Sequence, residues 1–292
     1  MRFRRQHESL RKDRKAVSPA ISTVILTAAV VIMILVAAAY ANNFLDARMA
    51  ENEFSANKQF MLTTGLQVDD IAWTIGRTQT VRYTNRYGQV KFESSVLNYS
   101  FEVSYNNGLT WEQVLSNTTG IILFNMPVSI LTMGNNYFER IFPSSSSSFL
   151  QNGTSAPVTH VFVVEKLPMA EGSYTRIVVA PSIRMLNSTI GGASQTSYFK
   201  FYLASLNQGQ NPQLSQSITL TGNDIIKVTR SDVTQVRITV TFPYESQGFT
   251  QDFFKFERQV ITLNSTSSPS LPPDSVVEFY VGKVIVSLGL YI

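Results

Sequence analysis

Residues 11–19, RKDRKAVSP, lead directly into an apolar segment that ends near Ala41 and contains no charged side chain. At ~1.5 Å per residue, a helix from Pro19 to Ala41 is about 34 Å long. That length crosses a hydrocarbon layer of ~30 Å with slight tilt. The sequence therefore predicts a basic leader, residues 1–16, followed by a transmembrane or filament-core helix, residues 17–41.

The helical pattern continues beyond this segment. Apolar side chains recur at helical offsets between charged and polar ones, namely Phe44, Leu45, Met49, Phe54, Met61 and Leu62. Ser18 is a suitable N-cap, Pro19 fits the first helical turn, and Gly76 fits a C-terminal cap. These signals predict a helix continuation over residues 42–76. One long helix from about Ser18 to about Ile75, and a membrane helix followed by a separate short helix, are both compatible with the pattern.

Residues 15–26, KAVSPAISTVIL, resemble the start of archaeal type IV pilins and pilin-like proteins. Members of that family carry a short basic leader, a peptidase site with a small residue before the cut, then Val-Ser-Pro and an apolar helix. The resemblance implies a class III signal peptide that prepilin peptidase cuts after Ala16, with a cut after Lys15 as the alternative. Beyond the cut no glutamate occurs before Glu51, whereas bacterial type IV pilins carry one near the mature N-terminus, so the archaeal type is favoured. The cleavage motif comprises Lys15, Ala16, Val17, Ser18 and Pro19.

Two other interpretations of the N-terminus remain open. A plain membrane anchor would have the same length and the same flanking charges. A cleaved secretory signal is the second alternative, because Ala39-Tyr40-Ala41 fits the small-x-small cleavage rule. The apolar run is, however, longer than the ~7–15 residues of a secretory signal.

Positive charge is concentrated ahead of the apolar segment. Seven basic and two acidic residues precede it, which gives a net charge of +5 there. Since the whole chain carries +4, the remainder carries −1. A near-neutral remainder argues against nucleic acid as a partner. The basic leader predicts a cytoplasmic N-terminus and an extracellular location for everything after Ala41.

The composition of the remainder is typical of a β-rich surface domain. Cysteine is absent, so neither a disulfide framework nor a cysteine-based metal site is expected. Ser and Thr are abundant, so several Asn-x-Ser/Thr sequons are expected by chance. The five that follow the membrane segment permit N-glycosylation at Asn98, Asn117, Asn152, Asn187 and Asn264.

After Gly76 the apolar pattern changes to a period of two, which indicates strands. Residues 79–84 and 89–93 alternate around a turn at residues 85–88, which predicts a hairpin in which the second strand returns along the first. Asn107-Gly108 is a further hairpin signal. Further strands are predicted at residues 99–105, 110–115, 120–124, 158–167, 174–180, 198–206, 217–220, 235–242, 258–263 and 276–292.

These elements predict an α+β fold: a long N-terminal helix followed by an antiparallel β-sandwich-like extracellular domain over residues 77–292. A serine-rich loop begins at Ser144, and glycine and proline extend it to Pro157. This low-complexity stretch leaves open a division into two lobes near residues 144–157.

The sequence carries no recognisable catalytic motif. His160 is the one histidine after the leader, and a lone histidine in a β-run is expected to be structural. Asp69 and Asp70 are adjacent on a predicted helix, so they diverge and fit a solvated face better than a metal pair. Aromatic side chains that could form a sugar-binding face are explained equally by cross-strand packing, namely Tyr83, Tyr87, Tyr105 and Trp111. We expect no enzyme, no cofactor and no metal.

Two functional classes fit these observations. In the first, the chain is a pilin-like subunit of a type IV pilus-type surface filament, and its length favours a minor or adhesive component. Its expected partners are prepilin peptidase, the pilus assembly machinery, other pilin subunits and membrane lipid. In the second class the chain is a membrane-anchored or secreted adhesin or binding protein, with a mature N-terminus at Met1 or Asn42.

Overall fold

The computed structural model describes residues 3–144, 146–191, 196–210 and 216–289, with residues 3–20 described by their backbone. The chain divides into two compact units, Met1–Ala50 and Glu51–Ile292. We call the second one the β-rich unit, because all of the strands described below belong to it.

A single helix, α1, runs from Phe3 to Ala72. The interpretation as one continuous helix is therefore confirmed over separate membrane and short helices. The expected start at Ser18 is wrong for the chain with its leader, because Ser18 and Pro19 lie inside α1. The physical reason is that residues 3–17 contain neither glycine nor proline and are rich in good helix formers.

Strands dominate the described residues after α1. They are β1 (Thr78–Arg82), β2 (Gln89–Ser104), β3 (Glu112–Pro127), β4 (Tyr137–Phe142), β5 (Leu150–Asn152), β6 (Thr159–Glu165), β7 (Tyr174–Pro181), β8 (Ile183–Ile190), β9 (Thr196–Gln208), β10 (Ser217–Val233), β11 (Gln235–Thr241), β12 (Val260–Leu263) and β13 (Ser275–Leu288). A short 3-10 helix, Glu245–Gln247, and a short helix α2, Gln251–Phe254, lie between β11 and β12.

The strands form two sheets. The six-stranded sheet has the order β1-β10-β13-β9-β8-β5, and the seven-stranded sheet has the order β12-β11-β2-β3-β7-β6-β4. The β9–β13 and β5–β8 pairs are parallel, and the other pairs between described strands are antiparallel. The predicted α+β class, with a long helix followed by antiparallel-rich β structure, is confirmed.

The two sheets share one hydrophobic core. Phe101 on β2 and Phe279 on β13 come from different sheets, and their ring centroids lie 5.1 Å apart. Phe279 also stacks on Phe201 of β9 at 5.3 Å. The hydroxyl of buried Tyr99 donates a hydrogen bond of 2.7 Å to the carbonyl of Pro181, so its polar group is satisfied inside this core. The β-rich unit is thus sandwich-like.

The Asn107-Gly108 signal correctly predicted a hairpin. It lies between β2 and β3, and Asn107 and Gly108 have φ of 56° and 89°. These positive values are readily adopted by asparagine and glycine. The predicted strands at residues 89–93 and 99–105 form one strand, β2, and those at residues 110–115 and 120–124 form one strand, β3. The pairing of β2 with β3 shifts register between Glu93 and Leu97.

The turn at residues 85–88 does not form the predicted hairpin. β1 pairs with β10, whereas β2 pairs with β3 and β11, so the chain changes sheets at this turn. The reason is a contact from α1: the buried carboxylate of Glu53 accepts hydrogen bonds from the backbone N–H groups of Arg86, Tyr87 and Gly88 at 3.0–3.2 Å. An anion held by successive N–H groups fixes the turn against the helix.

The structure has one β-rich unit rather than two lobes. β3 precedes residues 144–157 and pairs with β7 behind them, and β2 pairs with β11 in the same way. Each sheet therefore combines strands from both sides of the proposed break.

The last part of α1, residues 51–72, packs on the strands of this unit. Buried side chains recur at helical spacing, namely Phe54, Asn57, Phe60, Met61, Thr64, Val68, Ile71 and Ala72. A Cβ at Gly65 would lie 2.8 Å from Cγ2 of Val161, so a glycine is needed where the helix approaches β6. The hydroxyl of Thr159 closes this contact by donating a 2.9 Å hydrogen bond to the carbonyl of Gly65.

Candidate functional site

Within the part of the chain whose side chains are described, the first unit presents an exposed apolar surface. We call residues 21–41 of α1 the apolar segment. Every residue from 21 to 49 is exposed, including Val24 at 68% and Tyr40 at 74%. Isolated exposed hydrophobic residues are ordinary, but a continuous surface of this kind marks an interaction or membrane site.

The apolar segment is hydrophobic on all sides of the helix, unlike a surface helix with a single apolar stripe. Within the described residues, α1 is the one helix long and apolar enough to cross a membrane, and this segment is its apolar part. The hydroxyl of Thr27 donates a 2.8 Å hydrogen bond to the carbonyl of Thr23 one turn earlier. That polar group is therefore satisfied within the helix, as an apolar surrounding requires.

Aromatic and charged side chains follow the end of the apolar segment. Tyr40 and Phe44 are exposed, and the guanidinium carbon of Arg48 lies 5.2 Å from the centroid of the Phe44 ring. Tyrosine and basic side chains of this kind are typical of the interface between hydrocarbon and water. The far end of a spanning segment therefore falls near Tyr40–Phe44.

The apolar segment contains several alanines among its bulkier side chains. They are Ala28, Ala29, Ala37, Ala38, Ala39 and Ala41. Beside Ala28 the surface forms a shallow groove along one side of the helix, lined also by Thr23, Val24, Thr27, Val31 and Ile32. Small residues let neighbouring helices approach closely in an apolar medium.

The cleavage motif lies on the helical backbone of α1. The side chains of Lys15, Ala16, Val17, Ser18 and Pro19 lie outside the residues whose side chains the structure describes. Cleavage after Ala16 therefore stays a prediction.

Asp69 and Asp70 have different environments, and Asp69 is not on a solvated face as expected. Its carboxylate accepts 2.8 Å hydrogen bonds from Nε1 of Trp73 and from the guanidinium of Arg184 on β8. Asp70 is more exposed and pairs with Arg77 at the end of the helix. The sequence could not identify the Arg184 contact, because that residue is distant in the chain. Among the described residues no cluster of three potential metal-ligating side chains occurs.

His160 makes packing and hydrogen-bond contacts inside the β-rich unit. It is buried on β6, its Nε2 lies 2.8 Å from Nε2 of Gln151, and its ring lies nearly perpendicular to that of Phe256, with the centroids 5.9 Å apart. Burial, with a further contribution from the charge of Arg140, lowers the pKa of His160 to about 4. The neutral imidazole therefore accepts the hydrogen bond of the Gln151 amide.

The aromatic residues singled out from the sequence do not form one face. Tyr83 packs against Phe60 of α1 at 5.1 Å, Arg86 lies 5.0 Å from the ring of Tyr87, and Arg237 lies 4.2 Å from the ring of Trp111. Tyr105 remains 43% exposed. Packing on the helix and on arginine, rather than cross-strand packing alone, accounts for the first three.

A different aromatic row was missed by sequence reasoning. Tyr202 and Tyr280 are register partners on β9 and β13 and stack at 4.9 Å. Arg184 covers one end of the pair and Lys227 the other, each 5.3 Å from the nearer ring. Both outer ring faces are thus occupied by cations, so the row stabilises the sheet rather than presenting a ligand platform.

Comparisons with protein-family profiles, curated proteins and solved structures found no match. Any assignment to a class of protein therefore depends on the sequence and structure of this chain. It combines one membrane-length apolar helix near the N-terminus with a β-rich unit. This organisation is compatible with a single-pass membrane protein and with a pilin-like protein.

Proposed function

We propose that the protein is a pilin-like subunit of an archaeal type IV pilus-type surface filament, as a minor or adhesive component. The observation that carries this proposal is that every residue from 21 to 49 is exposed, and most of these residues are apolar. Such a surface is strongly disfavoured in water. Bundling several copies of the helix in a filament buries it, and lipid buries it before assembly.

Transfer from membrane to filament is physically reasonable because both surroundings satisfy the same apolar segment. The groove beside Ala28 and the alanines at residues 37–39 provide places for close helix approach. Removal of residues 1–16 takes the basic charge away from the start of the helix. Ser18 then lies close to the new N-terminus, where its hydroxyl can cap the first turn.

The proposal assigns partners and a location. Prepilin peptidase removes the leader, the pilus assembly machinery extracts the helix, and other pilin subunits and membrane lipid surround it. The N-terminus lies in the cytoplasm and the β-rich unit lies outside, because basic residues favour the cytoplasmic side. The role is structural or adhesive rather than catalytic.

Processing can be tested with two substitutions at one position. We expect Ala16→Trp to prevent leader removal, because a large side chain does not fit a peptidase site selective for a small residue before the cut. Ala16→Gly, which keeps a small residue, is the matched control and should be trimmed. Mass spectrometry of the N-terminus distinguishes the two products. Equal trimming of both variants would contradict a cut after Ala16.

A single-pass anchored or secreted adhesin or binding protein is the second candidate. The exposed Tyr40 and Phe44 and the nearby Arg48 favour the anchored form, since they suit a stable position at a membrane interface. This candidate predicts a mature chain that begins at Met1 when anchored, or at Asn42 when secreted. It also predicts no protein in sheared filaments.

A further inference from the structure

The five sequons differ in how far the folded chain leaves them open. Three of the asparagines use their side-chain amides in hydrogen bonds. The other two, Asn152 and Asn187, are exposed, and neither makes a side-chain hydrogen bond within the described residues. We propose that Asn152 and Asn187 are the N-glycosylation sites of the folded protein.

Asn152 and Asn187 lie close together on the outer edge of the six-stranded sheet. Asn152 is the last residue of edge strand β5, and its register partner on β8 is Met185. Asn187 lies two residues further along β8, where β5 no longer covers the strand. From strand spacing and rise, the two Cα atoms are roughly 8 Å apart.

The threonine that completes each of these two sequons is also accessible. Thr154 and Thr189 are both exposed. From Asn187 to Ile190 all four residues of β8 are exposed, so this end of the strand projects beyond the core on both of its faces. A transferase can therefore reach both the asparagine amide and the threonine hydroxyl of each sequon.

The sequon at Asn117 is the most closed. The Asn117 amide donates a 2.8 Å hydrogen bond to Oγ of Ser205 on the other sheet. Its hydroxyl partner, Thr119, is only 1% exposed and accepts a 2.8 Å hydrogen bond from the backbone of Leu206. Modification at Asn117 requires these contacts between the sheets to open.

Asn98 and Asn264 are also engaged. Asn98 lies on β2 between β11 and β3, and its Oδ1 accepts from the hydroxyls of Ser116 and Thr118 at 3.2 and 3.3 Å. The Oδ1 atom of Asn264 accepts from both the backbone and the hydroxyl of Thr266 at 2.9 and 2.8 Å. Both asparagines are half-buried. We therefore expect glycosylation of the folded chain to be slower at Asn98 and Asn264 than at Asn152 and Asn187.

The donor that this chemistry requires is an oligosaccharide carried on a polyisoprenoid phosphate. The asparagine nitrogen forms a bond to the anomeric carbon and loses one proton to the base of the transferase. The carbon–oxygen bond to phosphate breaks, and the lipid phosphate leaves with the bonding electrons. A bulky, soluble glycan at Asn152 or Asn187 would cover the free edge of β5 and oppose strand addition there.

The direct test uses the full chain in detergent with a purified oligosaccharyltransferase and its lipid-linked oligosaccharide. Site occupancy is measured by mass spectrometry of peptides from the native chain and from the same chain denatured before the reaction. We expect modification of Asn152 and Asn187 in the native chain and of all five asparagines in the denatured chain. The native rate at Asn117 should be at least about tenfold lower, because its hydrogen bonds must first be broken.

Matched hydroxyl deletions provide the control. Thr154→Ala and Thr189→Ala together should abolish modification of the native chain, whereas Thr266→Ala should leave it unchanged. Comparable native rates at Asn117 and Asn152 would overturn the inference. So would a native chain that stays unmodified while its denatured form reacts.

In cells the inference also rests on the proposed export of the β-rich unit, and protease treatment of intact cells measures that export separately. An exported unit that is unmodified, in cells that glycosylate other exported proteins, overturns the inference alone. A β-rich unit protected inside the cell overturns the proposed topology as well.

Discussion

Residues 21–49 and residues 51–72 belong to the same helix, but their apolar side chains have different surroundings. In the first region every residue is exposed, and over residues 21–41 the apolar surface surrounds the helix. In the second, apolar residues occupy one stripe, and side chains such as Met61 and Val68 are fully buried against the strands of the β-rich unit. Continuity of backbone structure therefore does not imply a common environment. The first region requires lipid or other helices, and the second is already partnered.

The largest effect should come from a charge in the exposed region. We expect Val31→Lys to eliminate the protein from filaments, because an ammonium group buried among apolar helices cannot reach water. The matched change Gln113→Lys, at an exposed position of β3, should leave assembly intact. The measurement compares the sheared extracellular fraction with the membrane fraction for each variant. Equal filament incorporation of both variants would show that the apolar segment is not buried on assembly.

Substitution of one methionine in each region of the helix should show that only the second region contributes to the stability of the folded monomer. Met61→Ala should lower the free energy of unfolding by about 2–5 kcal/mol, because it leaves a cavity beneath the second region. Met33→Ala removes an exposed side chain and should change the same quantity by less than ~0.5 kcal/mol. Denaturant unfolding of the chain in detergent measures both. A loss at Met33 as large as that at Met61 would mean that the first region is packed within the folded monomer.

The β-rich unit should lose stability on acidification through His160. Burial lowers the pKa of this imidazole to about 4, so between that pH and about 6.5 the unfolded chain binds more protons than the folded one. Stability from this group is complete above about pH 6.5 and falls by about 3 kcal/mol as the pH approaches 4. His160→Gln should flatten this part of the pH dependence, and His7→Gln, in the leader, should not. Identical slopes for wild type and His160→Gln would exclude a buried neutral imidazole.

A smaller effect is expected where the second region holds the turn at residues 85–88. Glu53→Gln removes the charge that accepts three backbone N–H groups, and it should cost about 1–3 kcal/mol of unfolding free energy. Glu51→Gln, on the exposed side of the same helical turn, is the control and should cost less than ~0.5 kcal/mol. Thermal unfolding of the two variants gives the comparison. Equal midpoints would show that the turn does not depend on this carboxylate.

Local sequence signals predicted the elements better than their partners. The long apolar run predicted the membrane-length helix, and Asn107-Gly108 predicted its hairpin, because each depends on residues close in sequence. The turn at residues 85–88 was assigned to a hairpin because the carboxylate of Glu53, more than thirty positions earlier, was not visible as its partner. The parallel pairing of β9 with β13 likewise joins distant parts of the chain.

The candidate site was predictable to the same limited degree. The apolar segment follows from composition, whereas the contact of Asp69 with Arg184 does not. Strand β8 was missed because its second half is polar and exposed, although β9 pairs along its whole length. The difference between open and closed sequons depends on this same tertiary arrangement, which the shared Asn-x-Ser/Thr pattern does not contain.

The mature N-terminus of the protein recovered from sheared filaments tests the proposed function most directly. Mass spectrometry should find a chain that begins at Val17, in the same fraction that contains the assembled subunit. A protein that begins at Met1 and remains wholly in the membrane, or one that begins at Asn42 and is soluble outside the cell, would contradict filament assembly through the apolar segment.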